Sequence, residues 1–313
     1  MNDPKKIEHC TNRRKFIGFT AAITAGSLVT QSNTGQAADS TVSEKNPICV
    51  FTKPFNSLSF DELADRIAEL GFDGIEAPVR KGGHVEPEQV EQKLPALVEA
   101  LKKRDLEITI MTSDVNDPDD PVTERVLRTA ATLGIKRYRM KYFKYDLEQS
   151  VLSQIDQWRP KLKQLAAMNH DFGLTGVYQN HAGTNYLGAP LWDLQMALQG
   201  IAPNDIGVAY DIRHATAEGG MSWPVTFNMI QPSIDSVYVK DFVWKEGKKP
   251  SNVPLGTGRI DPKFFKMLAD TDFNGPISLH EEYLDHRKPE LVPEHLAAIK
   301  ADLATLRAML KTD

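Results

Sequence analysis

The chain has 313 residues, 41% of them hydrophobic and 25% charged, which is a composition typical of a globular protein with room for one large α/β domain or two small ones. Its net charge of −5 argues against a nucleic-acid binder, because binding to phosphates requires a basic surface. Two cysteines are too few for a disulfide scaffold or a Cys-rich zinc module. No apolar run approaches the roughly 20 residues that span a bilayer.

The N-terminal segment resembles a twin-arginine (Tat) export signal. Arg13 and Arg14 precede a mildly apolar stretch that is too short and too polar for a membrane helix, and Gly35-Gln36-Ala37 supplies small residues at a plausible cleavage point. The alternative interpretation is an N-terminal extension that contains two adjacent arginines by chance. We expect export through the Tat machinery and a periplasmic or secreted protein.

This interpretation divides the chain into a signal peptide at 1–37, a linker at 38–46 and one domain at 47–313. Cys10 would be removed with the signal, so the mature domain would keep only Cys49 and could form no internal disulfide. A single cysteine agrees with Tat export, because the substrates of that pathway fold in the reducing cytoplasm.

Short apolar or β-branched segments alternate with longer amphipathic segments from residue 47 onward. The predicted strands are 48–53, 74–77, 107–112, 137–142, 172–179, 207–211, 236–240 and 277–282. The predicted helices are 59–71, 87–103, 121–133, 147–168, 189–198, 223–230, 261–269 and 293–310. The first helix has the clearest boundaries, because Ser59 and Glu62 form a capping box and Gly71 ends it.

Eight strands, each followed by a helix, in about 270 residues predict a single-domain (β/α)8 TIM barrel of the α/β class. A doubly wound open sheet is the alternative. It is disfavoured because no G-x-G-x-x-G turn follows the first strand and no Walker loop is present. In a TIM barrel the active site lies at the carboxyl ends of the strands.

Polar side chains lie at the ends of the last four predicted strands. Since successive side chains of a strand point to opposite faces, residues two apart share a face. The residues expected to face the lumen are Gln179 and His181 on strand five, Asp211 on strand six, Tyr238 and Lys240 on strand seven, and Ser278, His280 and Glu282 on strand eight. Glu281 is expected to point away, and His214 lies in the loop after strand six.

Together these motifs resemble the xylose isomerase-like TIM-barrel superfamily, the sugar phosphate isomerase/epimerase group that also includes endonuclease IV. The resemblance covers most of the predicted domain and implies a barrel enzyme that acts on a small-molecule sugar. The motifs that carry it are Glu-Leu-Gly-Phe-Asp-Gly-Ile-Glu (69–76), Asn-His-Ala (180–182), Asp-Ile-Arg-His (211–214), Val-Lys-Asp (239–241), Gly-Thr-Gly-Arg-Ile-Asp (256–261) and the acidic end of strand eight.

The resemblance also raises the question of a metal. Metal-dependent members of the superfamily usually place Glu, Asp, His and Glu at the ends of strands five to eight. The matching positions here hold Gln179, Asp211, Tyr238 and His280, so only the aspartate is kept. The usual mechanism with two glutamates is therefore in doubt for this chain.

An altered ligand set remains available near the same strand ends. Asp211, His181, His280 and Glu282 are predicted as ligands of Zn²⁺, Mn²⁺ or Fe²⁺, because two imidazoles and two carboxylates suit these ions. The alternatives are a metal site that has been abandoned and a hydrogen-bonded polar cluster at the mouth of the barrel.

Several cations are predicted at the same end of the barrel, namely Lys53, Arg139, Lys141 and Lys240. They would stabilise an anionic group of the ligand or a developing enediolate, and the alternative is that each is solvated or salt-bridged. Outside the cytoplasm an acidic or keto sugar is a better candidate than a sugar phosphate. The other predicted substrate-binding residues are Gln179, His214, Tyr238 and Trp244.

The leading functional hypothesis is an isomerase or epimerase that forms an enediolate, with Glu282 or His181 as base or acid and with Lys240 and Arg139 as partners of the oxyanion. A lyase or dehydratase on the same barrel is a close alternative, and Lys240 would then be the base. A non-catalytic carbohydrate-binding protein with a decayed metal site is a third. An abasic-site endonuclease is disfavoured, and the oligomeric state is open.

Overall fold

The computed structural model describes residues 46–246 and 249–311, and the predicted Tat signal and Cys10 lie outside these residues. Eight parallel strands form a closed barrel, which confirms the predicted TIM barrel. The barrel strands are β1 (Ile48–Phe51), β2 (Gly74–Val79), β3 (Glu107–Ser113), β4 (Arg137–Arg139), β5 (Thr175–Gln179), β6 (Ile206–Asp211), β7 (Ile234–Val239) and β10 (Ile277–Leu279). Their order around the barrel is β1-β10-β7-β6-β5-β4-β3-β2.

Nine α-helices surround the strands within the described residues. They are α1 (Phe60–Leu70), α2 (Val90–Lys102), α3 (Thr123–Thr132), α4 (Val151–Phe172), α5 (Trp192–Ala197), α6 (Ile212–Gly219), α7 (Trp223–Ile230), α8 (Lys263–Ala269) and α9 (Val292–Leu310). The capping box at the start of α1 is confirmed, since Ser59 Oγ accepts from the N–H of Glu62 while the Glu62 carboxylate accepts from the N–H of Ser59. None of the helices in these residues is long and apolar enough to span a membrane.

One helix and one pair of strands near the barrel mouth were not predicted. Helix α6 begins directly after β6, because the Asp211 side chain accepts from the N–H of His214 and so caps the helix. Strands β8 (Asp241–Trp244) and β9 (Pro250–Val253) pair antiparallel in a separate two-stranded sheet directly after β7. The predicted strands 48–53, 137–142 and 277–282 are too long, since sheet pairing ends where their polar residues enter the loops.

The barrel lumen has an apolar layer below a polar layer. Cys49, Ile110, Val177, Ala209 and Tyr238 form a small buried cluster that is separate from the main core between strands and helices. Because residues two apart share a face, the next layer toward the carboxyl ends of the same strands contains Phe51, Thr112, Gln179, Asp211 and Lys240. The polar layer is therefore built by strand alternation and lies at the predicted end of the barrel.

Candidate active site

Lys240 lies between two carboxylates at the centre of the polar layer. Its Nζ is 2.8 Å from Glu282 Oε2 and 3.2 Å from Asp211 Oδ2, and the lysine is buried. Burial by itself lowers the pKa of Lys240, but the charges of Asp211 and Glu282 outweigh it and raise that pKa above its ordinary value. The residue is thus a fixed cation, and the predicted role of Lys240 as a base loses support.

Asp211 is held in place from three sides. Its Oδ1 accepts from the N–H of His214 at 3.0 Å and its Oδ2 accepts from Gln179 Nε2 at 2.8 Å. Asn180 fixes the backbone, because its Oδ1 accepts from the Asp211 N–H at 2.7 Å while its Nδ2 donates to the Asp211 carbonyl at 3.1 Å. Asn180 was not predicted as a site residue, although it stands in the Asn-His-Ala motif.

Glu76 on β2 is a second residue that sequence reasoning missed. It is fully buried and accepts from Ser278 Oγ at 2.7 Å and from Thr112 Oγ1, and its Oε2 is 2.7 Å from His280 Nε2. Burial raises the pKa of this carboxyl, but His280 and Arg139 outweigh burial and lower it to about 2. The sequence signal that could have identified Glu76 is its position at the end of the 69–76 motif.

Arg139 and Gln179, both predicted to bind substrate, are brought together. The guanidinium donates to Gln179 Oε1 and to Tyr142 Oη (2.9 Å), and its Nε lies 3.7 Å from Glu76. The amide of Gln179 donates to Asp211, so a continuous chain of polar contacts runs from Glu76 to Lys240. Such a network holds each of its members in one orientation.

The rings of His181 and His214 are in contact, with centroids 4.0 Å apart and planes tilted by 37°. His181 Nδ1 lies 2.9 Å from the Ala182 carbonyl, which can only accept, so Nδ1 carries the proton and Nε2 keeps its lone pair. Burial, followed by the charge of Lys240, lowers the pKa of His181 to about 4. Burial and the same lysine also lower the pKa of His214 well below its ordinary value. Both imidazoles are therefore neutral near pH 7.

A cavity of about 630 Å³ opens beside these histidines. His181, His214 and Glu282 line it on one side, and Trp244 and Asn252 from the unpredicted hairpin line it on the other. A volume of this order suits a small-molecule ligand. The indole of Trp244 is 46% exposed, so its face is available for stacking.

The remaining predicted substrate-binding residues do not join this cavity. Tyr238 lies in the apolar layer below it and is fully buried against His280. Lys53 lines a second cavity of about 600 Å³ together with Arg80, which was not predicted. Lys141 is exposed and lines a different cavity with Lys81.

The predicted metal ligands do not form one cluster. Within residues 46–246 and 249–311, no group of three or more His, Cys, Asp or Glu side chains is arranged to hold a metal ion. Lys240 lies between Asp211 and Glu282, and His280 contacts Glu76 through Nε2. These residues do not fit a divalent ion in this arrangement, and the positive charge between the two carboxylates is the ammonium of Lys240.

Comparison with known proteins agrees with this architecture. A profile of the Xylose isomerase-like TIM barrel family matches residues 64–308. The chain belongs to this family. A search of curated proteins finds no match.

Solved structures of xylose isomerase-like barrels superpose over most of the chain. The 3-keto-D-glucoside 4-epimerase from E. coli has a TM-score of 0.63 and 17% identity over 84% of this chain and all of its own. The probable 3-DHS dehydratase of petrobactin synthesis from Bacillus anthracis has a TM-score of 0.64 and 16% identity over 83% of this chain and 98% of its own. A D-psicose 3-epimerase has a TM-score of 0.63 and 15% identity over 85% of this chain and all of its own. At these identities the similarity establishes the fold alone.

Proposed function

We propose that the protein is a sugar isomerase or epimerase that acts through an enediolate intermediate. The observation that carries this proposal is the pairing of a neutral imidazole, His181, with a fixed ammonium, Lys240, at one end of the barrel. Proton abstraction beside a carbonyl needs a base that is unprotonated at the working pH and a positive charge near the oxygen. Both groups lie at the carboxyl ends of the barrel strands, where TIM-barrel enzymes carry their active sites, and this position supports the proposal.

The reaction follows from the charges of these groups. His181 Nε2 removes the proton from the carbon beside the substrate carbonyl, and the C–H electron pair forms the C=C bond of the enediolate. The π electrons of the carbonyl move to its oxygen, whose negative charge lies against the Lys240 ammonium. Return of the proton from His181 to the neighbouring carbon, with transfer of the substrate hydroxyl proton to the former carbonyl oxygen, gives an isomer. Protonation of the original carbon by water from the opposite face gives an epimer, and His181 then loses its proton to the solvent.

Glu282 has a different role from the base predicted as one alternative. Burial raises the pKa of its carboxyl, but Lys240, His280 and Lys53 outweigh burial and lower it well below its ordinary value. A carboxylate of such low basicity is a poor proton acceptor, whereas it accepts hydrogen bonds well. We therefore assign Glu282 the orientation of Lys240 and of a substrate hydroxyl at the cavity wall.

A lyase or dehydratase is the second candidate, because it uses the same enediolate and then expels a β-substituent. One solved structure with this fold is a probable dehydratase. The two reactions differ only after the shared intermediate. In the proton-exchange assay described next, an isomerase returns a sugar of the same molecular formula, whereas a lyase yields an unsaturated or keto product.

Proton exchange in heavy water tests the proposal. We would incubate the protein with a panel of keto sugars, uronates and aldoses and follow loss of carbon-bound protons by NMR. Exchange is expected with at least one substrate, and it should disappear in His181→Ala. The exposed His170→Ala is the control, since His170 contacts Asp205 on the outer surface. Exchange that persists in His181→Ala, or a complete absence of exchange, would overturn the assignment.

We also propose export through the Tat pathway to an extracytoplasmic location. Arg13 and Arg14 followed by an apolar stretch support this, as does a domain in which Cys49 is the only cysteine. Replacement of both arginines by lysine should abolish appearance of the protein outside the cytoplasm. Export unchanged by that replacement would contradict the proposal.

A further inference from the structure

The second cavity at the barrel mouth is unusually rich in cations. It has a volume of about 600 Å³, and Lys53, Arg80, Lys81 and Arg287 contribute to its lining. Asp114 is its acidic lining residue, and its Oδ2 accepts from the backbone N–H of Lys81 at 2.8 Å. The charge of Arg287 is neutralised by Asp285, whose oxygens lie 2.8 Å and 3.0 Å from the guanidinium.

Lys53 and Arg80 differ from the other cations of this cavity. Both are partly buried, and in the described part of the chain neither has a carboxylate within the 4.0 Å of an ion pair. The Arg80 guanidinium lies 5.6 Å from the centroid of the Phe51 ring, which Arg139 also approaches to 5.6 Å. Phe51 thus lies close to both guanidiniums. Burial and the charge of Arg139 lower the pKa of Arg80, while the charges of Glu76 and Asp114 act in the opposite direction.

Positive charges outnumber negative charges among the side chains around this cavity. Arg139 is offset by Glu76, and Lys240 by Asp211 and Glu282, which gives three carboxylates for two cations. Lys53 and Arg80 add two further cations, and the charges of Lys81 and Asp114 in the same cavity cancel. The nine side chains therefore carry one surplus positive charge when their carboxylates are ionised. Burial lowers the pKa of Lys53, and the charges of Arg80, Lys240 and Arg139 lower it further against the effect of Glu282. The arrangement therefore stores unfavourable repulsion that an anion would relieve.

We infer that Lys53 and Arg80 form a subsite, in the second cavity, for the carboxylate of an acidic sugar. One surplus charge matches a singly charged carboxylate better than a doubly charged phosphate. The planar fork of Arg80 can bind both oxygens of a carboxylate, and Lys53 can add a third donor. The inference rests on the proposed function for the reacting carbons, but the binding of the carboxylate can be measured without any turnover.

Isothermal titration of the full chain tests the subsite with D-glucuronate, D-glucose and inorganic phosphate as probes. Wild type is expected to bind glucuronate more tightly than glucose. Arg80→Met should weaken glucuronate binding about 10- to 100-fold, the cost of losing hydrogen bonds to a charged group, and leave glucose binding unchanged. Lys53→Met should act in the same direction, which provides a second variant if the first folds poorly. Arg66→Met is the matched control, because Arg66 is exposed and pairs with Glu69 on the surface of α1.

Three outcomes would overturn the inference: equal affinity of wild type for glucuronate and glucose, glucuronate binding unchanged in both variants, or phosphate binding that is tighter and is lost in the variants. Proton exchange on the same samples separates this inference from the proposed function. Binding of glucuronate through Arg80 without exchange on any sugar would leave the subsite standing and overturn the function. Proton exchange on a keto sugar, together with glucuronate binding that is unchanged in the variants, would support the proposed function and overturn the subsite.

Discussion

Lys240 Nζ lies 2.8 Å from Glu282 Oε2, and the same ammonium lies 3.2 Å from Asp211 Oδ2. The side chains of Lys240 and Asp211 are almost completely buried, whereas that of Glu282 is 25% exposed at the cavity wall. A buried cation that holds two carboxylates together is a structural element of the barrel mouth, and in the proposed mechanism it also faces the reacting oxygen.

Removal of the ammonium should destabilise the protein. Lys240→Met leaves Asp211 and Glu282 near each other without a cation, and the free energy of unfolding is expected to fall by about 3–5 kcal/mol. Adding Glu282→Gln to Lys240→Met should restore part of the lost free energy of unfolding. Urea unfolding of wild type, the two single variants and the double variant measures this effect. The exposed pair of Lys103 and Glu99 supplies the control, since Lys103→Met should change stability by less than about 1 kcal/mol. A Lys240→Met protein as stable as wild type would refute the pairing.

The acidic limb of the pH profile should identify the base. The pKa of His181 is lowered to about 4, so its lone pair is available above that pH and is lost as pH falls through it. We expect kcat/KM for proton exchange to be flat from pH 5 to neutrality and to decrease below about pH 4. A decrease of kcat/KM centred near pH 6.5, the ordinary pKa of histidine, would contradict the assignment of His181 in its observed environment as the base.

Metal removal should leave the reaction intact. Because the ammonium of Lys240 lies between Asp211 and Glu282, we expect dialysis against a chelator to change neither the rate of proton exchange nor the melting temperature. Elemental analysis of the purified protein should find no stoichiometric divalent metal. One metal ion per chain, with activity that disappears on chelation and returns with that ion, would show that the side chains rearrange around it.

Asp302 on α9 should make stability fall as pH rises. Burial raises its pKa to about 6, while the N–H of Leu255, which donates at 3.0 Å, acts in the opposite direction. Because the pKa of Asp302 is about 6 in the folded state and has its ordinary value of 3.8 in the unfolded state, the folded state binds the proton more tightly. The stability that this provides is fully present below pH 3.8 and is lost as the pH rises through 6. Asp302→Asn should therefore be more stable than wild type by about 2 kcal/mol at pH 8 and little different at pH 4. The exposed Asp171→Asn serves as control, and an equal difference at both pH values would contradict the linkage.

The loop 256–261 should tolerate no side chain at Gly258. A Cβ there would lie 2.2 Å from Asp241 Oδ1 and 2.4 Å from the Phe242 carbonyl, while Asp241 accepts from the Gly258 N–H at 2.8 Å. Gly258→Ala is expected to lower the free energy of unfolding by about 2–4 kcal/mol. The matched control is Gly219→Ala, where the nearest atom to a new Cβ is 3.6 Å away. Thermal unfolding of the two variants decides the comparison, and equal melting temperatures would be incompatible with the close approach at Gly258.

The strand-and-helix pattern was enough to predict the closed barrel, because periodicity and capping are local properties of the chain. The same alternation predicted that Gln179, Asp211 and Lys240 share a layer, which the structure confirms. It also placed Glu281 on the opposite face, and this carboxylate contacts His295 on α9. The ends of the strands were less well predicted, since sheet pairing depends on neighbours that are distant in sequence.

Sequence alone determined the barrel, the end at which its polar residues gather and the family to which those residues belong. Tertiary structure decided which of them contact one another. Glu76 contacts His280, which is 204 positions away in the sequence, and Lys240 lies between two carboxylates. Arg80, and not Lys141, lines the same cavity as Lys53. Which side chains pair depends on their lengths and on the balance of buried charge across separate strands. Neither can be determined from residues that are adjacent in the sequence.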